Sequence, residues 1–258
     1  MEIYQHFRKE EQPFIDQAFS WKESVEDTFV PKLTDFLDPR ELQILETVIG
    51  SQNEELKLLT SGGGIHVERK RAIIAPYYEE ITEADFQLSL LQAEYPTKFI
   101  SLSHRDVMGA CMSLGIKRKK LGDMLVDEGK IQVVAADEIA PYIVANLTEV
   151  KKAKISLEEK PFTYFLEEEK EWKESDQTVS SLRLDAVLKE IYRMSRKDAA
   201  ALISSQQVKV NFRLVDDSKF ILQEGDLLSV RGKGRSKLVA VNGRTKKDKW
   251  RITTAILK

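Results

Sequence analysis

The sequence predicts an α+β protein divided among three small domains. Three observations support this: the length of 258 residues, an alternation of helical and strand periodicity along the chain, and opposite charge balances in its two parts. At roughly 100–200 residues per domain, the length allows two or three domains. A hydrophobic content of 42% is enough to build packed cores, which excludes wholesale disorder.

The first predicted domain covers residues 1–78 and is itself α+β. Residues 2–22 place apolar side chains at helical spacing, and Pro13 is expected to break or restart that helix. A second helix is predicted to begin at Asp38-Pro39, an N-cap followed by proline, and to stop at Gly50. Two strands are predicted to follow, at residues 56–60 and 65–75.

The middle domain, predicted for residues 79–160, shows the element order βαββαβ of the ferredoxin-like or RNA-recognition-type sandwich. The predicted strands are residues 86–93, 123–126, 130–135 and 154–157, and the predicted helices are residues 103–114 and 137–147. The central strand, residues 130–135, lacks the aromatic side chains on which such sheets stack bases. Any RNA binding by this domain would therefore use charge and shape.

Residues 161–180 are predicted to be an acidic linker, either a charged helix or an extended connector. Beyond this linker, residues 181–258 form the third predicted domain. Its predicted elements are helices at residues 182–191 and 195–205, strands at 208–210 and 227–231, and a hairpin of 237–241 with 250–257.

The net charge of −2 conceals a charge split. Residues 1–180 contain 22 Lys and Arg against 34 Asp and Glu, whereas residues 181–258 contain 18 against 8. The C-terminal excess of positive charge indicates a nucleic-acid-binding module, and a basic face that only solubilises the domain is the alternative.

The strongest local signal is Ser195-Arg196-Lys197-Asp198. Ser195 and Asp198 are expected to form a capping box at a helix N-terminus. The two intervening cations oppose the helix dipole, at roughly 0.3–1 kcal/mol each. Free amides, the dipole and two cations suit a phosphate, and an ordinary cap with solvated charges is the alternative. The alternating Gly232-Lys233-Gly234-Arg235 likewise predicts a close approach to phosphate, or a flexible turn.

Arg183-Leu184-Asp185, the Ser195-Arg196 helix entry and the Gly225-Asp226 turn together resemble the S4-type (alpha-L) RNA-binding domain, over about residues 181–240. The resemblance implies binding of structured RNA through Arg183, Ser195, Arg196, Lys197, Lys209 and Arg231. The predicted surface also includes the neighbouring cations Arg213, Lys233, Arg235 and Lys237. Gln206 and Phe212 stand where this domain usually has glycine, at turns that often need positive φ. Phe212 could stack on a base or pack in the core.

A second basic run lies in the middle domain, after its first predicted helix. Cations at a helix C-terminus complement the dipole, but four in succession exceed that need, so an RNA-facing patch is the alternative. The run consists of Lys117, Arg118, Lys119 and Lys120.

No active site is predicted. His104-Arg105-Asp106 lacks the other parts of a kinase catalytic loop and fits a capping box started by Ser103. Gly62-Gly63-Gly64 lacks the lysine and hydroxyl of a phosphate-binding P-loop. The three histidines show no metal-ligand spacing, and Cys111 is expected to be a packed thiol. Asp185 is expected to anchor a helix.

The chain also resembles the YlmH family over nearly its full length, and the resemblance is carried by motifs in the middle segment. The residues that carry it are Leu102-Ser103-His104-Arg105-Asp106-Val107-Met108-Gly109-Ala110, Gly115-Ile116-Lys117-Arg118 and Leu121-Gly122-Asp123. The resemblance implies a bacterial cytoplasmic protein linked to ribosome-associated quality control and, through gene neighbourhood, to cell division. It implies binding to the large ribosomal subunit carrying peptidyl-tRNA.

The expected function is therefore non-enzymatic binding of ribosomal RNA, with tRNA as a further candidate, by a cytoplasmic monomer. We expect no cofactor, metal, small-molecule substrate or membrane insertion. A protein–protein adaptor for cell division, tethered by RNA, is the alternative, and an RNA-modifying enzyme is the third reading. The sequence suggests replacing Arg196 and Lys197 with glutamate as the test of the RNA surface.

Overall fold

The computed structural model describes Phe7 and residues 9–50, 53–98, 100–127, 129–167 and 171–257. The chain divides into two compact units, residues 1–168 and 169–258. Their mixture of helices and sheets confirms the predicted α+β class. Within the described ranges, no helix is long and apolar enough to cross a membrane. The start of the first predicted helix, residues 2–6, lies outside the described residues.

The first unit begins with two helices on a small antiparallel sheet. The helices are α1 (Gln12–Thr28) and α2 (Pro39–Ile49); the strands are β1 (Lys32–Leu33), β2 (Leu56–Ser61) and β3 (Arg71–Pro76), in the order β1-β3-β2. The predicted bounds of α2 are confirmed. The Asp38 carboxylate accepts hydrogen bonds from the amides of Arg40 and Glu41, both at 2.9 Å, and Gly50 ends the helix with φ at +86°. The predicted strand at residues 65–75 is wrong in its first half, because the chain pairs with β2 only from Arg71 onward.

The middle region has the predicted βαββαβ order. Its elements are β4 (Leu88–Glu94), α3 (His104–Ser113), β5 (Leu121–Asp127), β6 (Lys130–Ala136), α4 (Ala140–Asn146) and β9 (Glu158–Lys160), with a small hairpin of β7 (Glu149–Val150) and β8 (Ala153–Lys154) after α4. The antiparallel strand order β5-β6-β4-β9 is that of the predicted sandwich. The predicted closing strand at 154–157 is wrong. The closing strand is β9, which pairs with β4, while β8 pairs with β7.

Both faces of the middle sheet are covered. One face packs against α3 and α4, since Val133 of β6 shares one hydrophobic core cluster with Val107 of α3 and Ile143 of α4. The other face presents Leu90, Val134 and Ala136 to three aromatic rings: Phe36, Phe162 and Phe165. The Gln132 side chain fixes this cover, because its amide donates to the Tyr164 carbonyl and accepts from the Leu166 amide, both at 2.8 Å. The face that RNA-recognition sheets use for base stacking is therefore occupied by the chain itself.

The loop that contains Gly63 and Gly64 makes room for this cover. A Cβ at Gly63 would lie 2.0 Å from Cε1 of Phe162, and a Cβ at Gly64 would lie 2.4 Å from Cε1 of Phe165. Gly63 also has φ at +84°, which side-chain-bearing residues rarely adopt. The glycine run thus permits close packing of two aromatic rings.

Gly63→Ala is expected to lower the free energy of unfolding of the first unit by about 2–4 kcal/mol, because an overpacked core costs roughly 1–3 kcal/mol and the positive φ about 1 more. Urea denaturation measures this change. Gly109→Ala is the matched control, since a Cβ there meets no atom within 4 Å and the site is inside α3. It should stabilise by about 0.5–1 kcal/mol. Unchanged stability of Gly63→Ala would contradict the packing role.

Apolar side chains pack across the predicted domain boundary at residue 78. Phe86 and Leu88, which follow this boundary, lie in one cluster with Ile73 and Ala75 of β3. The residues on both sides of it therefore belong to one compact unit. The division of the chain into three separate domains stays a prediction.

The second unit places two helices on one face of a six-stranded antiparallel sheet. The helices are α5 (Leu184–Tyr192) and α6 (Arg196–Ser204); the strands are β10 (Trp172–Val179), β11 (Val208–Val210), β12 (Arg213–Leu214), β13 (Leu227–Val230), β14 (Gly234–Arg244) and β15 (Trp250–Leu257), in the order β10-β15-β14-β13-β11-β12. The predicted linker is wrong at residues 172–179, since β10 pairs with β15 along its whole length. Its charged side chains are those of an edge strand.

Candidate RNA interface

Three charged side chains meet where α5 and α6 begin. Asp185, in the first turn of α5, is 3% exposed. Its carboxylate accepts hydrogen bonds from Arg183 at 3.1 and 2.9 Å and from Arg196 at 3.0 and 3.4 Å. The Arg183 and Arg196 side chains keep 28% and 51% of their surface exposed. One buried acid therefore holds two accessible guanidinium groups, which fits its predicted role as an anchor.

The Asp185 carboxylate is ionised at neutral pH. Burial alone would raise its pKa, but the hydrogen bonds from Arg196 and Arg183 outweigh burial and bring the pKa below its ordinary value. Each guanidinium has five N–H groups, and the bonds to Asp185 leave several of them available to a phosphate. The cluster has one net positive charge and presents planar, charged donors at two neighbouring helix N-termini.

Ser195 caps α6, but the predicted capping box forms only in part. The hydroxyl accepts from the Asp198 amide at 3.0 Å and donates to the Asp198 carboxylate at 2.7 Å. This carboxylate was expected to accept from the backbone amide of Ser195. The next cation, Lys197, is exposed, and no acidic group in the described ranges forms an ion pair with it. Lys197 can therefore contact a phosphate without breaking a structural bond.

The turn between β13 and β14 brings Lys233 beside α6. Gly232 and Gly234 have φ at +77° and +89°, and the Lys233 amide closes the turn on the Val230 carbonyl at 3.0 Å. A largely apolar groove of about 590 Å³ lies between this turn and α6. Its lining includes Met194, Leu202 and Lys233. We call Arg183, Ser195, Arg196, Lys197 and Lys233 the helix-side group.

Three other predicted cations lie on the opposite face of the sheet. Val208, Val210, Leu228, Val230 and Leu238 point into the core shared with α5 and α6. Because strand side chains alternate, Lys209, Arg235 and Lys237 point away from that core. Lys209 and Arg235 flank Ser229 in one row of the sheet. We call these three cations the outer-sheet group. The structure therefore does not bring the predicted residues to a single surface. Arg231 is exposed in the β13–β14 turn, and Arg213 is half-buried in β12.

Both residues that replace glycine adopt positive φ. Gln206 has φ at +57° and Phe212 at +67°. The Gln206 amide bonds the Ile203 carbonyl and the Gln207 amide bonds the Leu202 carbonyl, both at 3.0 Å, which is the Schellman pattern at the end of α6. The Phe212 ring is half-buried, and its centre lies 6.0 Å from the guanidinium carbon of Arg235.

Gln206→Gly is expected to raise the free energy of unfolding of the second unit by about 0.5–1 kcal/mol. Relief of the left-handed conformation is worth roughly 1–2 kcal/mol, and the extra entropy of an unfolded glycine removes about 0.5–1 of it. Urea denaturation checks the sign. Ala201→Gly, at an exposed position in the interior of the same helix, should destabilise instead. If Gln206→Gly lowered the stability instead, the strain attributed to the left-handed conformation of Gln206 would be wrong.

The second basic run makes mostly structural contacts. Arg118 donates to the carbonyls of Leu121 and Gly122, and burial lowers its pKa to about 10. Lys119 pairs with Asp35 at 2.8 Å, and Lys120 pairs with Asp35 and with Glu138. Of the four cations in this predicted patch, Lys117 and Lys119 are exposed, whereas Arg118 and Lys120 are half-buried. RNA binding by this run stays a prediction.

The enzyme-like fragments have structural roles. Ser103 and Asp106 form the predicted capping box of α3. Cys111 is fully buried, and burial raises the pKa of its thiol to about 11, which does not suit a nucleophile. Among the residues that the structure describes, no three His, Cys, Asp or Glu side chains converge as metal ligands.

Comparisons with known proteins agree with this architecture. Residues 82–164 match the family described as "Putative RNA-binding domain in YlmH", and residues 182–228 match the S4 domain. The chain is 45% identical, over 98% of its length and 97% of the relative, to "Ribosome-associated protein quality control protein P2" of Bacillus subtilis (strain 168). A solved structure, "Cell division protein ylmH from Streptococcus pneumoniae", is 34% identical with a TM-score of 0.55, over 64% of this chain and 99% of that one.

Proposed function

Because this chain belongs to the YlmH family, whose S4 domain lies at its C-terminus, we propose that it acts without catalysis on the large ribosomal subunit. The proposed ligands are ribosomal RNA and peptidyl-tRNA, and the proposed process is ribosome-associated quality control in the cytoplasm. The name of the Bacillus subtilis relative supports this process. The protein is proposed to bind as a monomer.

The observation that supports the proposal most directly is the cluster of Arg183, Asp185 and Arg196. Two guanidinium groups held at neighbouring helix N-termini suit the phosphates of a folded RNA. Lys197 and Lys233 add two flexible cations on the same side. Within the helix-side group, the arginines would fix orientation and the lysines would add salt-dependent affinity.

Sedimentation with ribosomal subunits on sucrose gradients tests this proposal. The full-length protein should migrate with the large subunit at low salt and dissociate steeply as salt rises, because each phosphate contact releases counterions. Protein that stays at the top of the gradient at low and at moderate salt would overturn the ribosomal proposal. Free RNA would then be the next ligand to examine.

A role as a protein adaptor in cell division is the second candidate. The name of the Streptococcus pneumoniae structure and the acidic balance of residues 1–180 favour it. Affinity purification from extract with and without nuclease distinguishes the two functions. Partners lost after nuclease treatment support RNA binding, whereas partners retained support the adaptor.

A further inference from the structure

The loop of the β14–β15 hairpin is a strongly basic surface outside the predicted set of RNA contacts. Between Asn242 and Ile252 the hairpin contains five cations and one acid. Lys246, Lys247, Asp248 and Lys249 lie in the loop, and Arg244 and Arg251 lie in the flanking strands. The hairpin lies outside residues 182–228, which match the S4 domain. The positive charge of the hairpin therefore belongs neither to the matched S4 domain nor to the cluster of Arg183, Asp185 and Arg196.

The loop has a defined conformation. The Thr245 amide donates to the Lys249 carbonyl at 2.7 Å, and the Asp248 amide donates to the Thr245 carbonyl at 2.9 Å. The Lys249 amide also donates to the Thr245 hydroxyl at 3.1 Å. These bonds close the loop on itself, so that its lysines are presented by an ordered turn. A ligand that binds them has less chain entropy to remove.

The lysine charges are uncompensated. Lys246, Lys247 and Lys249 are exposed, and none of the described acidic groups forms an ion pair with them. Asp248 forms an ion pair with Arg244, and the guanidinium carbon of Arg244 also lies 4.4 Å from the centre of the Trp250 ring. Residues 242–249 contain no apolar side chain. This surface suits a polyanion rather than the interior of a membrane or an apolar pocket.

The hairpin lies near one end of the candidate RNA interface. Trp250 pairs with Val179, and four residues lead from Val179 to Arg183, a span of at most about 14 Å. The other end of β14 begins beside Lys233, and its 11 residues span up to about 35 Å. The loop and Lys233 therefore lie at opposite ends of β14, and one RNA segment of that length could contact both.

We propose that the β14–β15 loop is a second RNA contact, in which Lys246, Lys247 and Lys249 bind backbone phosphates without reading sequence. The inference rests on the proposed RNA-binding function and adds a site to it. Continuity with Arg183 and the absence of apolar side chains favour RNA over an anionic lipid surface.

Neutralising the loop tests this inference in the full-length protein. Lys246→Gln, Lys247→Gln and Lys249→Gln together should weaken binding to purified large ribosomal subunits roughly 10- to 100-fold near 0.1 M salt, and should reduce the slope of log affinity against log salt by about 2–3. The control changes Lys9, Lys32 and Lys173, three exposed lysines outside both matched RNA-binding domains, to glutamine. The control should leave affinity and slope unchanged.

The outcomes separate this inference from the proposed function. If the wild type binds subunits and the loop variant binds with equal affinity and slope, the loop contact is wrong while RNA binding stands. If the wild type does not bind subunits, the proposed function fails first. A parallel measurement uses vesicles of anionic phospholipid. Vesicle binding that disappears in the loop variant, with subunit binding unchanged, would reassign the loop to a membrane surface and overturn the inference.

Discussion

Replacing Lys197 and Lys233 with glutamate is expected to weaken binding to the large ribosomal subunit about a hundredfold near 0.1 M salt, which is roughly tenfold per reversed charge. Both side chains are exposed, and no acidic group in the described part of the chain pairs with either, so reversal removes phosphate contacts at little structural cost. The slope of log affinity against log salt should fall by about 2. Sedimentation or filter binding over a salt series measures both quantities.

The outer-sheet group supplies the matched control for this prediction. Lys209→Glu with Lys237→Glu makes the same change in net charge on the opposite face of the sheet. If the helix-side group is the main surface, this control should lose less than about tenfold in affinity. A larger loss from the control than from the Lys197 and Lys233 variant would move the RNA surface to the outer sheet.

The contacts of Arg196 change the test that the sequence suggested. A glutamate at residue 196 would place a second carboxylate beside the buried Asp185, and lost binding could then result from local unfolding. Lys197 is the sharper probe, because its charge can be reversed without touching that cluster.

Asp185→Ala is expected to lower the free energy of unfolding of the second unit by about 2–3 kcal/mol and also to weaken RNA binding. It removes one partner of a buried charge cluster, which typically costs 3–5 kcal/mol, and the partial exposure of both arginines reduces that cost. RNA binding should weaken because Arg183 and Arg196 lose the carboxylate that orients them. Hydrogen exchange of the amides in α5 and α6, together with subunit sedimentation, measures the two effects.

Glu190→Ala on the same helix is the control, since Glu190 forms a surface pair with Lys189 and its loss should change stability by less than about 1 kcal/mol. The pH dependence gives a second check. Because the pKa of Asp185 is lowered in the folded state, its stabilisation is complete above the unfolded value of about 3.9 and is lost as the pH falls through the lower folded value. Asp185→Asn should remove this loss. Equal acid sensitivity in both proteins would contradict the role of Asp185.

Much of the fold could be predicted because its signals are local. Asp38 and Gly50 bound α2 through hydrogen bonds and a backbone angle within a few residues. Local patterns also predicted the first five elements of the βαββαβ order, whereas the closing strand lies at β9 and not at residues 154–157. The prediction of an acidic linker, which rested on charge, was wrong at residues 172–179 because strand pairing there depends on a distant part of the chain. A polar, acidic segment can be an edge strand if a distant partner pairs with it, and that partner is β15, more than 70 residues away.

The features of the candidate site likewise divide into those that the sequence predicted and those that depend on tertiary contacts. The sequence by itself indicated, through its resemblance to the S4 domain, a basic module whose second helix begins at Ser195. It also placed Gln206 and Phe212 at turns that often need positive φ, since caps and turns depend on neighbouring residues. Only the tertiary structure decided that Asp185 binds Arg196, that Lys209 points away from the helices, that Arg118 is partly buried and that Phe162 covers the middle sheet over Gly63. These contacts join residues far apart in the chain, and their energies depend on burial and distance, which composition and spacing do not specify.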